Sequence, residues 1–315
     1  MFLQSLENVA LLLLMAVPGF LIVKLKMVPA EGAAKFISVM LIYVCQPFIT
    51  FNSFLNTDFD RNILINLIAV LIFTGVFTSL MIGIGNLIFL WVKDRDTRGL
   101  FSYAGAFGNI GFMCIPFLQI LMPGNNEVIL YATASIVSFN LVAWTLGNYL
   151  ITGERKHISL KKAIINPPTL AFLIALPLFL FNLNFNAAPS LSGLAKVCRL
   201  FADLVGPLAM IMLGIKIAEM NFKTLFSDPG VYLAAAVKLL LAPVVAFALM
   251  MLMTTFMDVA EIRLNLITLA AMPSANNIMM FCTVYDKDAG VAAKCVGIST
   301  VLSIVTIPLA LMLFV

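Results

Sequence analysis

The chain has 315 residues, of which 62% are hydrophobic and 11% are charged, and its net charge at pH 7 is +4. A water-soluble domain carries about a quarter charged residues, so this composition excludes an ordinary soluble protein and indicates a chain whose solvent is lipid. The small excess of positive charge comes from short connections between apolar stretches, and it does not indicate nucleic-acid binding.

Ten stretches of the sequence are long and apolar enough to span a membrane as helices. Such a helix needs about 20 mainly apolar residues, because the hydrocarbon layer is about 30 Å thick and an α-helix rises about 1.5 Å per residue. The stretches are residues 4–25, 33–56, 62–92, 99–122, 126–152, 163–182, 189–218, 230–256, 262–285 and 289–314. We therefore predict an all-α, polytopic membrane protein. The first stretch lacks the basic n-region of a cleaved signal peptide and counts as a helix.

The five cysteines of the chain all lie in predicted spans. They have no CxxC spacing and no histidine nearby. Buried cysteine behaves as a small hydrophobic side chain, and this is the role that we expect for all five. We predict neither a metal site nor a cofactor.

Basic residues are concentrated in every second connection between the predicted spans. They include Lys24, Lys26, Lys93, Arg95, Arg98, Arg155, Lys156, Lys161, Lys162 and Lys287. Cytoplasmic loops retain lysine and arginine, so these connections are predicted to face the cytoplasm. With an even number of spans, both termini are then predicted to lie outside.

The most basic connection, GERKHISLKK at residues 153–162, divides the predicted spans into two sets of five. Since five is odd, two halves with a shared fold enter the membrane in opposite orientations, as in many secondary transporters. We therefore predict a first repeat at residues 1–152, a cytoplasmic loop at 153–162 and an inverted repeat at 163–315. Residues 108–114 align on residues 276–282 with Asn, Ile and Cys in common.

The fourth and ninth predicted spans carry helix-breaking residues near their middle. These are Gly108, Gly111 and Pro116 in one span and Pro273 in the other. Proline costs about 3 kcal/mol in a helix interior and glycine about 1 kcal/mol, so an interruption is predicted in each span. Irregular backbone is tolerated at that depth only where it is buried in protein or lines a watery cavity.

Polar residues lie beside both predicted interruptions: Asn109 in one, and Ser274, Asn276 and Asn277 in the other. An interrupted helix exposes unpaired N–H groups and a positive dipole end, which an anion can satisfy. Asparagine adds donors without a permanent charge. We predict that these residues bind a small anion where the two spans cross. The alternative is that glycine and asparagine serve close helix packing and interhelical hydrogen bonds.

Six stretches of the sequence form a recognisable set: CQPFITFNSF, GNIGFMCIPFLQ, NLVAWTLGNYLI, VGPLAMIMLGIKIAEMNF, VKLLLAPVVA and AAMPSANNIMMFCTVYDKD. Together they resemble the auxin efflux carrier family, part of the bile acid/auxin/arsenite transporter superfamily, along essentially the whole chain. The resemblance implies ten helices in two inverted five-helix repeats. It also implies a scaffold domain, and a transport domain whose fourth and ninth helices cross at their breaks.

The resemblance further implies a carrier of organic anions: malonate or malate in bacterial relatives, auxin in plants. Plant carriers bind the substrate carboxylate through asparagines beside the crossing; Asn109 matches the first of these, and Asn276 or Asn277 the second. Plant members commonly have a long loop where this chain has about ten residues, which favours a microbial carrier in the bacterial cytoplasmic membrane. No Asp or Glu lies in the third span, so the plant proton relay cannot be carried over.

Two ionisable residues inside predicted spans are candidates for ion coupling or charge balance. Lys238 lies about 12 Å into the eighth span at about 1.5 Å per residue, where an ammonium is either functional or snorkels to the interface. Asp203 lies four residues after Arg199, so it is either an ion-pair partner or the carboxylate of a proton-coupled carrier. The coupling ion is predicted to be H⁺ or Na⁺, if there is one.

The predicted function is a secondary active transporter of a small organic anion. An intramembrane enzyme is disfavoured, because the single histidine, His157, lies in a loop and no paired carboxylates lie at depth. A membrane sensor that uses the same cavity without transport is the alternative. The predicted partners are the anion, the lipid bilayer and, in a homodimer through the scaffold domain, a second copy of the chain.

Overall fold

The structure is a computed structural model, and it describes residues 2–185, 192–219 and 228–315. Within these ranges the chain is helical, apart from short connections and one isolated antiparallel bridge. The helices are α1 (Phe2–Lys24), α2 (Ala30–Leu55), α3 (Arg61–Ile88), α4 (Arg95–Ala106), α5 (Ile110–Leu121), α6 (Asn126–Thr152), α7 (Leu160–Ile164), α8 (Pro167–Leu180), α9 (Ser192–Glu219), α10 (Pro229–Met253), α11 (Arg263–Ala271), α12 (Asn277–Val284) and α13 (Ala289–Phe314).

Seven helices in the described part are long and apolar enough to cross a membrane, or eight if the bent segment that contains α7 and α8 is one span. The prediction of a multi-pass helical membrane protein is therefore supported, whereas the number of ten spans is not confirmed. The fourth and ninth predicted spans differ from the others because each is divided into two short helices, α4 with α5 and α11 with α12. Residues 189–191 of the predicted seventh span lie outside the described ranges.

Helix starts are marked by side chains that accept a hydrogen bond from the first turn. An Asp, Asn or Ser oxygen at this position satisfies one of the N–H groups that have no partner inside the helix. The capping residues are Asp60 for α3, Asp94 for α4, Asn125 for α6, Ser159 for α7, Asn166 for α8, Asp228 for α10 and Asp288 for α13. These caps mark the residues at which most of the long helices begin.

In the described ranges, four wide turns of the π type interrupt the regular helices: Leu41–Cys45, Ile110–Cys114, Ala143–Gly147 and Val237–Leu241. In three of them a proline follows two residues later, namely Pro47, Pro116 and Pro243. Proline lacks the N–H that a helix needs, and its ring clashes with the carbonyl four residues earlier. The wide turns relieve this clash, and such turns often lie at functional sites.

Residues of the described connections form two groups of contacts, one after the end of α3 and one before its start. After its end, Lys287 forms an ion pair of 2.6 Å with Asp96, and the His157 ring stacks on Tyr285 at 4.6 Å. Before its start, Asn184 donates to Asp58 over 2.6 Å. The first group joins residues of three connections that were predicted to be basic. Which of the two ends faces the cytoplasm stays a prediction.

Candidate functional site

The two interruptions lie against each other and form a short antiparallel bridge. Asn109 N–H donates to the Pro273 carbonyl over 2.8 Å, and Ala275 N–H donates to the Phe107 carbonyl over 2.9 Å. Gly108 and Ser274 form the bridge between these bonds. Backbone that cannot reach water needs internal partners, and each interruption supplies them to the other. We refer to residues 107–109 and 272–276 together as the crossing.

Asn109 uses its backbone to build the crossing and leaves its side chain available. Its carbonyl accepts from the N–H groups of Met113 and Cys114, each at 3.2 Å. The residue is only 5% exposed, yet its side-chain amide has no hydrogen-bond partner among the described residues. A buried amide normally finds partners, so this one is suited to a ligand.

Asn276 and Asn277 lie where α12 begins. Asn276 occupies the N-cap position, but its side chain does not cap the helix, and both residues are half-buried. The Asn277 side chain interacts with the hydroxyl of Tyr103 on α4. Polar groups from α4 and α12 therefore meet beside the crossing.

Ser274 makes hydrogen bonds within the protein on both sides of the crossing. Its hydroxyl donates to the Ala104 carbonyl over 2.8 Å, and its N–H donates to the Ser299 hydroxyl over 3.0 Å. Ser274 thereby joins the last turn of α4 to α13 through the crossing. Since its only hydroxyl donor is engaged, Ser274 has acceptor capacity alone to offer a ligand.

The predicted hinge residues occupy two kinds of position. Gly108 and Pro273 lie inside the crossing, whereas Gly111 and Pro116 lie in α5, beyond it. A Cβ atom on Gly111 would lie 2.6 Å from the Nε2 atom of Gln46. The absence of a side chain at Gly111 therefore leaves room for the Gln46 side chain of α2. This packing role is separate from the predicted role of Gly111 in interrupting the helix.

Gln46 is a residue of the site that sequence reasoning missed. It is 4% exposed, and its side-chain amide has no hydrogen-bond partner in the described ranges. It directly follows the wide turn of α2 and precedes Pro47. A polar side chain in the middle of a span was the available signal, because such residues are costly in lipid unless they face the protein interior.

Lys238 is fully buried in the wide turn of α10. Its Nζ atom donates to the Ala270 carbonyl over 2.8 Å and lies 5.9 Å from the centre of the Phe77 ring. A Cβ on Gly108 would lie 3.2 Å from the same Nζ atom. The side chain therefore points to the crossing and does not snorkel to the interface.

Asp203 forms an ion pair with Arg199, which is one of the two roles considered for it from the sequence. Its Oδ2 atom lies 3.9 Å from Arg199 Nε, and both side chains are mostly exposed. An exposed pair at this spacing has a structural explanation and contributes little stability. None of the contacts recorded for Asp203 reaches the crossing.

An acidic cavity of about 810 Å³ lies at the end of the molecule where α3 and α6 begin. Its carboxylates are Asp58, Asp60, Glu127 and Glu261. Asn66 holds Glu261 through a hydrogen bond of 2.7 Å. The negative potential of this cavity disfavours an anion, so we do not expect a carboxylate to bind there.

A family model described as "Membrane transport protein" matches residues 4–311. The chain belongs to this family. The resemblance to auxin efflux carriers is thereby confirmed, and the chain is a transport protein rather than an enzyme.

Two curated relatives are archaeal proteins described as uncharacterized transporters. The protein of Methanothermobacter thermautotrophicus is 27% identical over 318 residues, and the match covers 98% of each chain. The protein of Methanocaldococcus jannaschii is 23% identical over 291 residues, with 89% of each chain covered. Both matches span most of this membrane transport protein.

Proposed function

We propose that this membrane transport protein carries a small organic anion and binds its carboxylate at the crossing. The substrate class is a mono- or dicarboxylate such as malonate, malate or an auxin-like acid. The observation that carries the proposal is the paired interruption, in which Asn109 joins the two segments by its backbone while its buried amide has no partner among described residues.

The electrostatics of the crossing favour an anion. Helices α5 and α12 both begin beside it, and the first N–H groups of a helix carry a partial positive charge. The amides of Asn109, Asn276 and Asn277 add donors, and Gln46 adds a donor from α2. A carboxylate accepts several such hydrogen bonds, and bonds to an ionised acceptor are stronger than neutral ones.

We propose alternating access as the mechanism, with the crossing carried by one domain past a scaffold. The antiparallel pairing of the interruptions supports two inverted repeats, residues 1–152 and 163–315, because inverted repeats bring equivalent segments together in opposite directions. In this proposal the ten spans place both termini outside the bacterial cytoplasmic membrane. A homodimer would form through the scaffold domain.

Uptake of labelled malonate into proteoliposomes tests the proposal. Wild-type protein should accumulate malonate above empty vesicles, and Asn109→Ala should reduce the initial rate at least tenfold. Asn86→Ala on α3, outside the crossing, is the control and should leave the rate unchanged. Equal rates for wild type and Asn109→Ala would contradict the proposed site. Malonate binding without uptake by wild type would favour the sensor alternative.

A further inference from the structure

Lys238 has an unusual electrostatic position. Among the buried residues of the described part, it is the one with a charged side chain. The ion pairs recorded there do not include it, so no carboxylate balances its charge. Its partners are the Ala270 carbonyl and the face of the Phe77 ring. A buried ammonium without a counter-charge costs several kcal/mol, and such residues inside membranes commonly serve function.

The Lys238 ammonium lies at the negative end of an interrupted helix. Ala270 is in the last turn of α11, where carbonyl groups have no intrahelical partner and carry partial negative charge. Carbonyl ends of this kind hold the coupling cation in transporters with broken helices. In this protein the side chain of Lys238 lies at that place.

Other carbonyls at the crossing are also engaged by protein donors. The Ala104 carbonyl accepts from the Ser274 hydroxyl, the Phe107 carbonyl from Ala275 N–H, and the Pro273 carbonyl from Asn109 N–H. These oxygens and that of Ala270 are the kind of ligands that a sodium ion would need. Their engagement leaves the ammonium as the positive charge at the crossing.

The same ammonium is close to the proposed anion site. The side chain of Lys238 lies against Gly108 of the crossing, since a Cβ there would lie 3.2 Å from both Cε and Nζ of Lys238. Asn109, with its free amide, is the next residue. A carboxylate bound there would supply the negative charge that the buried ammonium lacks in the described structure.

We propose that Lys238 is the resident cation of the crossing, which neutralises the carboxylate of the transported anion and occupies the place of a coupling metal ion. This inference rests on the proposed function. It makes Lys238 part of the anion site, and it follows that uptake proceeds without sodium. The Lys238 ammonium and a bound monocarboxylate together carry no net charge.

Substitution of Lys238 tests the inference in purified protein and in proteoliposomes, with malonate as the probe. Lys238→Met keeps most of the side-chain volume without the charge, and Lys238→Gln keeps a hydrogen-bond donor without the charge. Both should reduce malonate uptake at least tenfold and remove the malonate-induced rise in melting temperature. Lys216→Met, which breaks the exposed pair with Glu219, is the control and should change neither readout.

The unliganded melting temperature separates an electrostatic role from a structural one. Removal of a buried charge should leave this temperature equal or higher in Lys238→Met, whereas loss of a structural residue would lower it. Replacement of sodium by choline on both sides of the vesicle should leave wild-type uptake within twofold. The sodium-replacement experiment uses only wild-type protein, so it tests the inference even if a substituted protein fails to fold.

The outcomes distinguish the inference from the function on which it rests. Sodium-dependent wild-type uptake, or full uptake by a folded Lys238→Met protein, would overturn the role of Lys238 and leave the carrier function intact. Failure of wild type to bind or move malonate, malate and indole acetate alike would overturn both.

Discussion

The main-chain N–H of Asn109 donates a 2.8 Å hydrogen bond to the carbonyl of Pro273, in the other half of the chain. The backbone of Asn109 therefore joins the two interrupted helices, while its side-chain amide has no partner in the described structure. In the proposed site, the structural and ligand-binding roles fall on different atoms of one residue. A change to alanine thus removes the amide and preserves the bond between the segments.

The Gly108→Ala substitution should destabilise the crossing. The added Cβ would lie 3.1 Å from the Leu269 carbonyl oxygen and 3.2 Å from Lys238 Nζ, closer than most side chains approach. Overpacking of this kind costs about 1–3 kcal/mol, so the melting temperature in detergent and the malonate uptake rate should both fall. Gly83→Ala in α3 is the control, because nothing lies within 4 Å of the added atom. Equal melting temperatures for the two variants would contradict the close packing at Gly108.

The Gly214→Ala substitution should separate α1 from α9. A Cβ at this position would overlap the Ala16 carbonyl oxygen and lie 2.8 Å from Phe20 N. The two helix backbones touch at this point, so the change should cost about 1–3 kcal/mol or more and lower the melting temperature. Gly193→Ala, in the same helix with open space around it, should have no such effect. A Gly214→Ala protein as stable as wild type would show that α1 and α9 do not pack this closely.

The cap of α4 should make stability depend on pH. Hydrogen bonds from the Thr97 hydroxyl and N–H lower the pKa of Asp94, which lies outside the membrane spans. Because the pKa of Asp94 is lower in the folded state, the ionised carboxylate stabilises the protein at pH values above the unfolded pKa of about 3.9. This stabilisation is lost as the pH falls through the folded-state pKa. The melting temperature of Asp94→Ala should therefore lie furthest below wild type at neutral pH, with the gap narrowing at acidic pH. Asp94→Asn keeps a hydrogen-bond acceptor, so at neutral pH its melting temperature should lie closer to wild type than that of Asp94→Ala.

The grouping of the loops predicts which positions share a side of the membrane. In a background with the five native cysteines replaced, Lys156→Cys should react with a membrane-impermeant maleimide only after cells are opened. Asp258→Cys should react on intact cells, because its connection lies with the non-basic loops. Both positions are exposed, so access by the reagent is not limiting. Labelling of both variants on intact cells would contradict the predicted orientation.

Local composition predicted much of the fold. Runs of apolar residues indicated membrane helices, and helix-breaking residues such as Gly108 and Pro273 lie where α4 and α11 have ended. These effects depend on neighbours in sequence, so a single chain reveals them. The number of spans that the structure supports is smaller than ten, because interrupted spans do not meet the length that a continuous membrane helix requires.

The contacts that define the site could not be predicted, because they join residues far apart in sequence. The hydroxyl of Ser274 donates to the carbonyl of Ala104, which is 170 residues away in the sequence. Lys238 had two interpretations until its partner, Ala270, was known. Gln46 showed no helix-breaking or charge signal, and only its position against Gly111 places it beside α5.

The most direct test of the carboxylate site is the melting temperature of purified protein with and without malonate. A ligand at a hundred times its Kd stabilises the folded state by about 2.7 kcal/mol, enough for a clear rise. The account predicts this rise for wild type and its loss in Asn109→Ala, with both unliganded proteins melting at nearly the same temperature. An equal rise in Asn109→Ala would contradict the central claim that the crossing binds the carboxylate.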